Sequence, residues 1–154
     1  MVSSKDCLKR YGLPYDDSAT TTVNESTIFE RRWMILWDVP ADINLAIPVI
    51  PNKIYCNKDL VAPLEKALRN IIDRGLTGEM KTWDGCFNIR LKRGLSSLSL
   101  HSWAIAIDIN ASWNGLGKTP TMSKELVACF VDAGFDWGGY WTRLDGMHFQ
   151  LAKI

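Results

Sequence analysis

Hydrophobic residues recur at the spacing of one helical face in two segments of the chain. The first segment, 60–74, contains five of them: Leu60, Leu64, Leu68, Ile71 and Ile72. Residues at this spacing pack on one side of a helix, and a glycine such as Gly75 is typical of the position after its end. The pattern predicts a helix over 60–74, with Pro63 in its first turn. It also predicts a second helix over 123–133 that ends at Gly134.

Three shorter segments have the apolar pattern of strands: 86–91, 104–109 and 147–152. Alternation in the second segment predicts that Asp108 faces away from three core isoleucines, Ile105, Ile107 and Ile109. In the third segment His148 shares a face with Gln150. Helices packed on a small, mainly antiparallel sheet form two layers, so the expected fold class is α+β.

Two further segments are harder to assign from the pattern. Residues 28–37 are rich in aromatic and aliphatic side chains and are expected to form a strand or a short helix against the core. Prolines at 40, 48 and 51 predict that the chain then continues in extended pieces. The polar segment 16–27 predicts a loop or an arm wrapped on the domain.

Composition then limits the class of protein. The chain is 47% hydrophobic and 23% charged, which fits a single domain over 1–154, with an N-terminal arm at 1–30 and a core at about 50–151. A formal net charge of +1 gives no support for nucleic-acid binding. The chain has neither an apolar stretch of membrane-spanning length nor the apolar segment of a secretory signal near residue 1. We therefore expect no membrane insertion and synthesis in a cytoplasm, with the four cysteines as free thiols. We also expect a monomer.

The candidate chemistry lies around the two histidines. His101 precedes Asp108 by seven positions, and His148 follows Asp145 by three. Imidazole nitrogens and carboxylate oxygens are common ligands of Zn²⁺. Residues seven apart on an unbroken strand face opposite sides, so a shared metal requires a bend near Ser102 or Trp103. The hypothesis is that His101, Asp108 and His148 hold Zn²⁺ beside Asp145, and the alternative is that each histidine is a structural residue.

These residues resemble the signature of a known family. The pattern Ser-x-His-x-x-small-x-Ala-x-Asp is carried by Ser99, His101, Ala104, Ala106 and Asp108. A second pattern, Asp/Glu-x-x-His, is carried by Asp145 and His148 after the segment Trp137-Gly-Gly-Tyr-Trp141. Together they resemble the D-alanyl-D-alanine carboxypeptidase group of zinc peptidases, which includes L-alanyl-D-glutamate endopeptidases of phage lysins. The resemblance covers roughly 50–151, and it departs at Ala104, where the family more often has glycine.

The resemblance implies a fold and a set of roles. The fold would be that of the D,D-peptidases and of the related hedgehog zinc domain. The metal would be Zn²⁺ on the three ligands, and Asp145 would act as the catalytic base. Ser99 and Arg90 would bind substrate, because the family uses an arginine upstream of the first histidine to bind a substrate carboxylate. Arg90 as an ordinary surface arginine is the alternative, and Arg93 is the next candidate.

The expected function is therefore a zinc-dependent peptidase acting on peptidoglycan stem peptides. The lack of a secretory signal resembles a phage endolysin, which is made in the host cytoplasm and reaches the cell wall in the periplasm only after release. This comparison favours cleavage between L-Ala and D-Glu. The alternatives are a D-alanyl-D-alanine carboxypeptidase and a non-catalytic, hedgehog-like zinc binding module.

Overall fold

The computed structural model describes residues 1–16 and 27–154, in which five α-helices and six strands form. The helices are α1 (Ser4–Tyr11), α2 (Ile28–Trp33), α3 (Ala41–Ala46), α4 (Lys58–Asp73) and α5 (Lys124–Val131). The strands are β1 (Met34–Asp38), β2 (Lys53–Asn57), β3 (Trp83–Gly85), β4 (Ala106–Ile109), β5 (Phe135–Trp137) and β6 (His148–Leu151). Strands β1 and β2 form an antiparallel pair, and the other four form an antiparallel sheet in the order β3-β4-β6-β5. The α+β class is confirmed, with more helices than the two predicted.

Both helices predicted from periodicity are present, with small shifts at their ends. The Asn57 side chain accepts a hydrogen bond from the Asp59 amide at 3.0 Å, so α4 begins at Lys58. Pro63 consequently lies in the second turn of α4, and its predicted place in the first turn is wrong. Helix α5 begins after Ser123, whose hydroxyl accepts a hydrogen bond from the Leu126 amide at 3.0 Å.

The predicted strand over 86–91 does not form. The register of the β3–β4 pair shifts before Gly85, whose φ of +135° directs the chain away from β4. The backbone that follows bonds to the turn containing His101: the Asn88 amide donates to the His101 carbonyl at 3.1 Å, and the Ser99 amide donates to the Arg90 carbonyl at 2.9 Å. Residues 86–91 therefore support this turn and add no strand to the sheet.

The segment after β1 also differs from the prediction of extended pieces. Helix α3 follows Pro40 directly, and the Pro40 carbonyl accepts hydrogen bonds from the amides of Ile43 and Asn44. Proline is compatible with a helix start because no helical N–H is needed there. The segment 28–37, left open between helix and strand, contains both, since α2 is followed at once by β1.

Residues before the predicted loop pack closely on the domain. Helix α1 buries Cys7 and Tyr11, and the Ser4 hydroxyl donates to the Leu98 carbonyl at 2.6 Å. The buried Trp103 indole donates to the Gly12 carbonyl at 2.8 Å. Most of the predicted loop, residues 17–26, lies outside the described residues.

The core lies between the four-stranded sheet and helices α4 and α5. The isoleucines of 105–109 are all fully buried, as the alternation predicts. On β6, Phe149 stacks on Phe130 of α5 with ring centroids 4.3 Å apart. All four cysteines are buried free thiols. Within the described part of the chain, no helix has the length and apolarity needed to cross a bilayer.

Candidate metal site

A tight turn brings His101 back over the strand that carries Asp108. Leu100–Trp103 form one turn of 3-10 helix, and Ala104 then takes a left-handed conformation with φ of +52°. The chain reverses there and enters β4. The required bend is thus present, and its pivot is Ala104, next to the predicted Ser102 and Trp103. Glycine adopts positive φ most readily, which is a physical reason for glycine at this position in the resembled family.

Strand pairing supplies the second and third side chains. Asp108 of β4 lies directly opposite His148 of β6 in the antiparallel register, so their side chains project on the same face. The His101 Nε2 atom lies 3.1 Å from His148 Nδ1. Each of these nitrogens lies 3.2 Å from Asp108 Oδ1. The structure therefore brings the three residues predicted as metal ligands into one compact triangle.

The size of this triangle matches one face of a zinc coordination sphere. Ligands at about 2.0–2.1 Å from a tetrahedral ion lie about 3.3 Å from one another. The observed edges of 3.1–3.2 Å are close to that separation. A fourth corner, on the open side of the triangle, remains for a non-protein ligand.

Each imidazole is oriented by an acceptor on its outer side. His101 Nδ1 donates to the Cys86 carbonyl at 2.7 Å. His148 Nε2 lies 3.2 Å from Gln150 Oε1, and the amide of Gln150 is oriented because its Nε2 donates to the Val2 carbonyl at 3.1 Å. In the neutral form of each imidazole the proton then lies on the outer nitrogen, and the inner nitrogen presents a lone pair. The triangle then offers three atoms with lone pairs, which is a ligand set that fits a metal cation.

The charge of Asp108 is consistent with that arrangement. Burial raises the pKa of its carboxyl group, but the neighbouring imidazoles of His101 and His148 act in the opposite direction. The effect of the two imidazoles is larger and lowers the pKa of Asp108 well below its usual value. The group is therefore a carboxylate at neutral pH, with only 17% of its side chain exposed.

Asp145 reaches the site from the loop before β6. Its amide donates to the Gly138 carbonyl at 3.0 Å, and its own carbonyl accepts from the His148 amide at 3.1 Å. Any side chain at Gly138 would collide with the backbone of Asp145, so this approach requires glycine. The Trp137 indole fixes the next residue by donating to the Gly146 carbonyl at 2.8 Å. The Trp137-Gly-Gly segment thus acts as the support for Asp145.

The environment of Asp145 differs from that of Asp108. Burial raises the pKa of the Asp145 carboxyl group above its ordinary value, and the negative Asp108 adds to this effect. His148, His101 and Arg90 act against it without reversing it. Two carboxylates in one site therefore have opposite pKa shifts, which is typical of groups with different chemical roles.

The triangle opens into a cavity of about 470 Å³. Asp108, Asp145 and His148 line it, and so do the two residues predicted to bind substrate, Arg90 and Ser99. The reserve candidate for Arg90, Arg93, also faces this cavity. A volume of this size is within the range of about 300–1,000 Å³ typical of small-molecule sites.

Of the tryptophans near the candidate metal site, one lines the cavity and two lie in the core. Trp141 lines the cavity, with its ring 5.4 Å from that of His148. Trp103 is fully buried, and Trp137 is largely buried and stacks on Phe149. Trp103 and Trp137 therefore belong to the core.

Sequence reasoning missed the outer partners of the histidines. The acceptor for His101 is the backbone carbonyl of Cys86, which no residue type reveals. Gln150 had a usable signal, because strand alternation places it on the face of His148. Arg143 of the cavity lining was missed as well, although it lies two residues before Asp145.

Comparison with known proteins gives two similarities. Residues 93–151 match the sequence model of a family described as D-alanyl-D-alanine carboxypeptidase. The crystal structure of the Serratia marcescens L-Ala D-Glu endopeptidase ChiX superposes with a TM-score of 0.43 at 20% sequence identity, covering 76% of this chain and 90% of that chain. No curated protein sequence matches the chain. The matched segment contains His101, Asp108, Asp145 and His148, and it confirms the resemblance of this chain to the D-alanyl-D-alanine carboxypeptidase family of peptidases.

Proposed function

We propose that the protein is a zinc-dependent peptidase that cleaves peptidoglycan stem peptides. The observation that carries this proposal is the triangle of three acceptor atoms at the mouth of a cavity, with a second carboxylate beside it. Buried acceptors at mutual distances of 3.1–3.2 Å repel one another unless a cation lies among them. The match of residues 93–151 to a peptidase family supports this class of reaction.

In this proposal His101, Asp108 and His148 are the metal ligands. Two imidazoles and one carboxylate, with a fourth position open, form a ligand set used by catalytic zinc sites. Bound Zn²⁺ would lower the pKa of a water molecule to about 7 and polarise a substrate carbonyl. The acceptors at Cys86 and Gln150 hold the rings in the orientation that this binding needs.

Asp145 is proposed as the general base and acid. Its carboxylate would accept a proton from the attacking water and deliver it to the amine of the leaving group. A base with a pKa raised by burial holds that proton more strongly than an exposed aspartate does, which suits both transfers. The backbone contacts of Asp145 with Gly138 and His148 fix its distance from the ligands.

The finer proposal is a phage endolysin that cleaves between L-Ala and D-Glu and acts on the cell wall after release from the host cytoplasm. The family of the matched segment supports a wall peptide as substrate, and it equally accommodates removal of a terminal D-Ala by a carboxypeptidase. A non-catalytic zinc module remains the competing class. Asp145 distinguishes it, because a purely structural site has no use for a base beside its ligands.

Replacement of Asp145 separates catalysis from metal binding. We expect Asp145→Ala to lower kcat on purified peptidoglycan by about 10²–10⁴-fold, the usual contribution of a general acid–base group. Zinc content should stay near that of the unmodified protein, whereas His148→Ala should lose the metal. Asp73→Ala, at an exposed aspartate near the end of α4, is the matched control and should leave both quantities unchanged. Full activity of Asp145→Ala would contradict the proposed role.

Gln150 tests the outer contact of His148. Gln150→Leu removes the acceptor of His148 Nε2 and should weaken zinc affinity by about 10–100-fold in a chelator competition titration. Gln150→Glu keeps an acceptor at this position and should retain affinity to a much greater extent. Circular dichroism of the metal-free proteins controls for unfolding. Equal zinc affinity of the Leu variant and the unmodified protein would show that Gln150 does not orient His148.

Product analysis distinguishes the two peptidase reactions. Mass spectrometry of digested Gram-negative sacculi should show released stem peptides that begin with D-Glu, with L-Ala left on the glycan. Loss of a single terminal alanine instead would replace the endopeptidase proposal with the carboxypeptidase one. If neither product forms and the protein still co-sediments with intact sacculi, the result would favour the binding module.

A further inference from the structure

The cavity beside the candidate metal site is lined by four cationic side chains: Arg90, Lys92, Arg93 and Arg143. Among the described residues, the only carboxylates that line it are Asp108 and Asp145, which belong to the candidate metal site. Within residues 1–16 and 27–154, no carboxylate lies within 4.0 Å of any of the four cations. The whole chain has a formal net charge of only +1, so this excess is a local property of the cavity.

Arg143 lies in a different loop from the other three cations, and a hydrogen bond to that second loop holds its side chain in place. Its Nη1 atom donates to the backbone carbonyl of Arg93 at 2.7 Å, across 50 positions of the chain. This bond joins the loop before β6 to the loop of residues 91–98, and both loops border the cavity. A guanidinium group has five N–H donors, so most of them remain for a ligand. Arg143 is therefore both positioned and chemically available.

The other walls of the cavity indicate what kind of anion fits. They are mostly apolar and include Leu95, Leu100, Leu116, Trp141 and Met147. A polyphosphate has little apolar surface to place against them, whereas a peptide has aliphatic groups between its charges. Three of the four cations are arginines, and the planar fork of arginine pairs with a carboxylate through two parallel hydrogen bonds.

We propose that Arg143 is a specificity residue that binds a carboxylate of the peptide substrate, distinct from the carboxylate assigned to Arg90. The inference rests on the proposed peptidase function and names its substrate class: a peptide with at least two free carboxylates near the scissile bond. Lys92 and Arg93 strengthen the positive potential of the same cavity. Amidation of the carboxylate that Arg143 recognises removes the charge on which this contact depends.

The test compares synthetic stem peptides that differ by one group. In each peptide a single carboxylate is converted to its carboxamide, and KM and kcat are measured with the unmodified protein and with Arg143→Gln. On the fully anionic peptide, Arg143→Gln should raise KM by about 10-fold or more and leave kcat nearly unchanged. On one of the amidated peptides the same substitution should change KM less than about twofold.

Two further variants control the experiment. Arg143→Lys keeps the charge without the fork and should have an intermediate KM. Arg74→Gln is the matched control, because this arginine is paired with Asp132 at 2.8 Å and lies outside the cavity lining. It should leave all KM values unchanged. An equal rise of KM for every peptide with Arg143→Gln would show a merely structural role and overturn the proposal, and so would no rise at all.

A binding measurement separates this inference from the proposed function. Calorimetric titration of Asp145→Ala, with and without Arg143→Gln, measures peptide affinity without any cleavage. If the unmodified protein cleaves none of the peptides, the peptidase proposal fails. A tighter affinity for the anionic peptide that depends on Arg143 would still support the carboxylate subsite. Affinities that are independent of Arg143 would overturn it, whether or not cleavage occurs.

Discussion

Three buried acceptor atoms that lie within 3.2 Å of one another are the constraint on which the rest of the structure depends. These atoms repel one another when no cation lies among them, and the outer contacts with Cys86 and Gln150 orient the imidazoles so that one nitrogen of each faces Asp108. A divalent cation held by all three atoms would convert that repulsion into attraction. The fold around the triangle is therefore best understood as the framework that keeps these acceptors together.

The framework comes from distant parts of the sequence. Pairing of β4 with β6 sets Asp108 opposite His148, and the left-handed residue Ala104 returns His101 to the same face. The residues that flank helix α1 contact both segments. The Val2 carbonyl accepts a hydrogen bond from Gln150, and the Gly12 carbonyl accepts one from Trp103. The segments that contain His101 and His148 are thus both tied to one N-terminal element.

Sequence alone predicted the features that depend on residue type and spacing. Helix α4 follows from its apolar repeat, and the convergence of the two histidines follows from their scarcity and neighbouring carboxylates. The segment 86–91 was assigned wrongly as a strand because its apolar residues suggest a sheet, while its backbone bonds go to the turn of His101. The Cys86 acceptor was beyond prediction for a similar reason, since every residue type has the same carbonyl. Arg143 was missed because its position depends on a backbone contact 50 residues away.

The most direct test of the account is the zinc X-ray absorption spectrum of the metal-loaded protein. The account predicts one Zn²⁺ per chain, with two imidazole nitrogens and carboxylate or water oxygens at about 2.0–2.1 Å. It also predicts no sulfur scatterer, because all four cysteines are buried thiols outside the triangle. A sulfur shell at about 2.3 Å, or the absence of stoichiometric zinc, would contradict it.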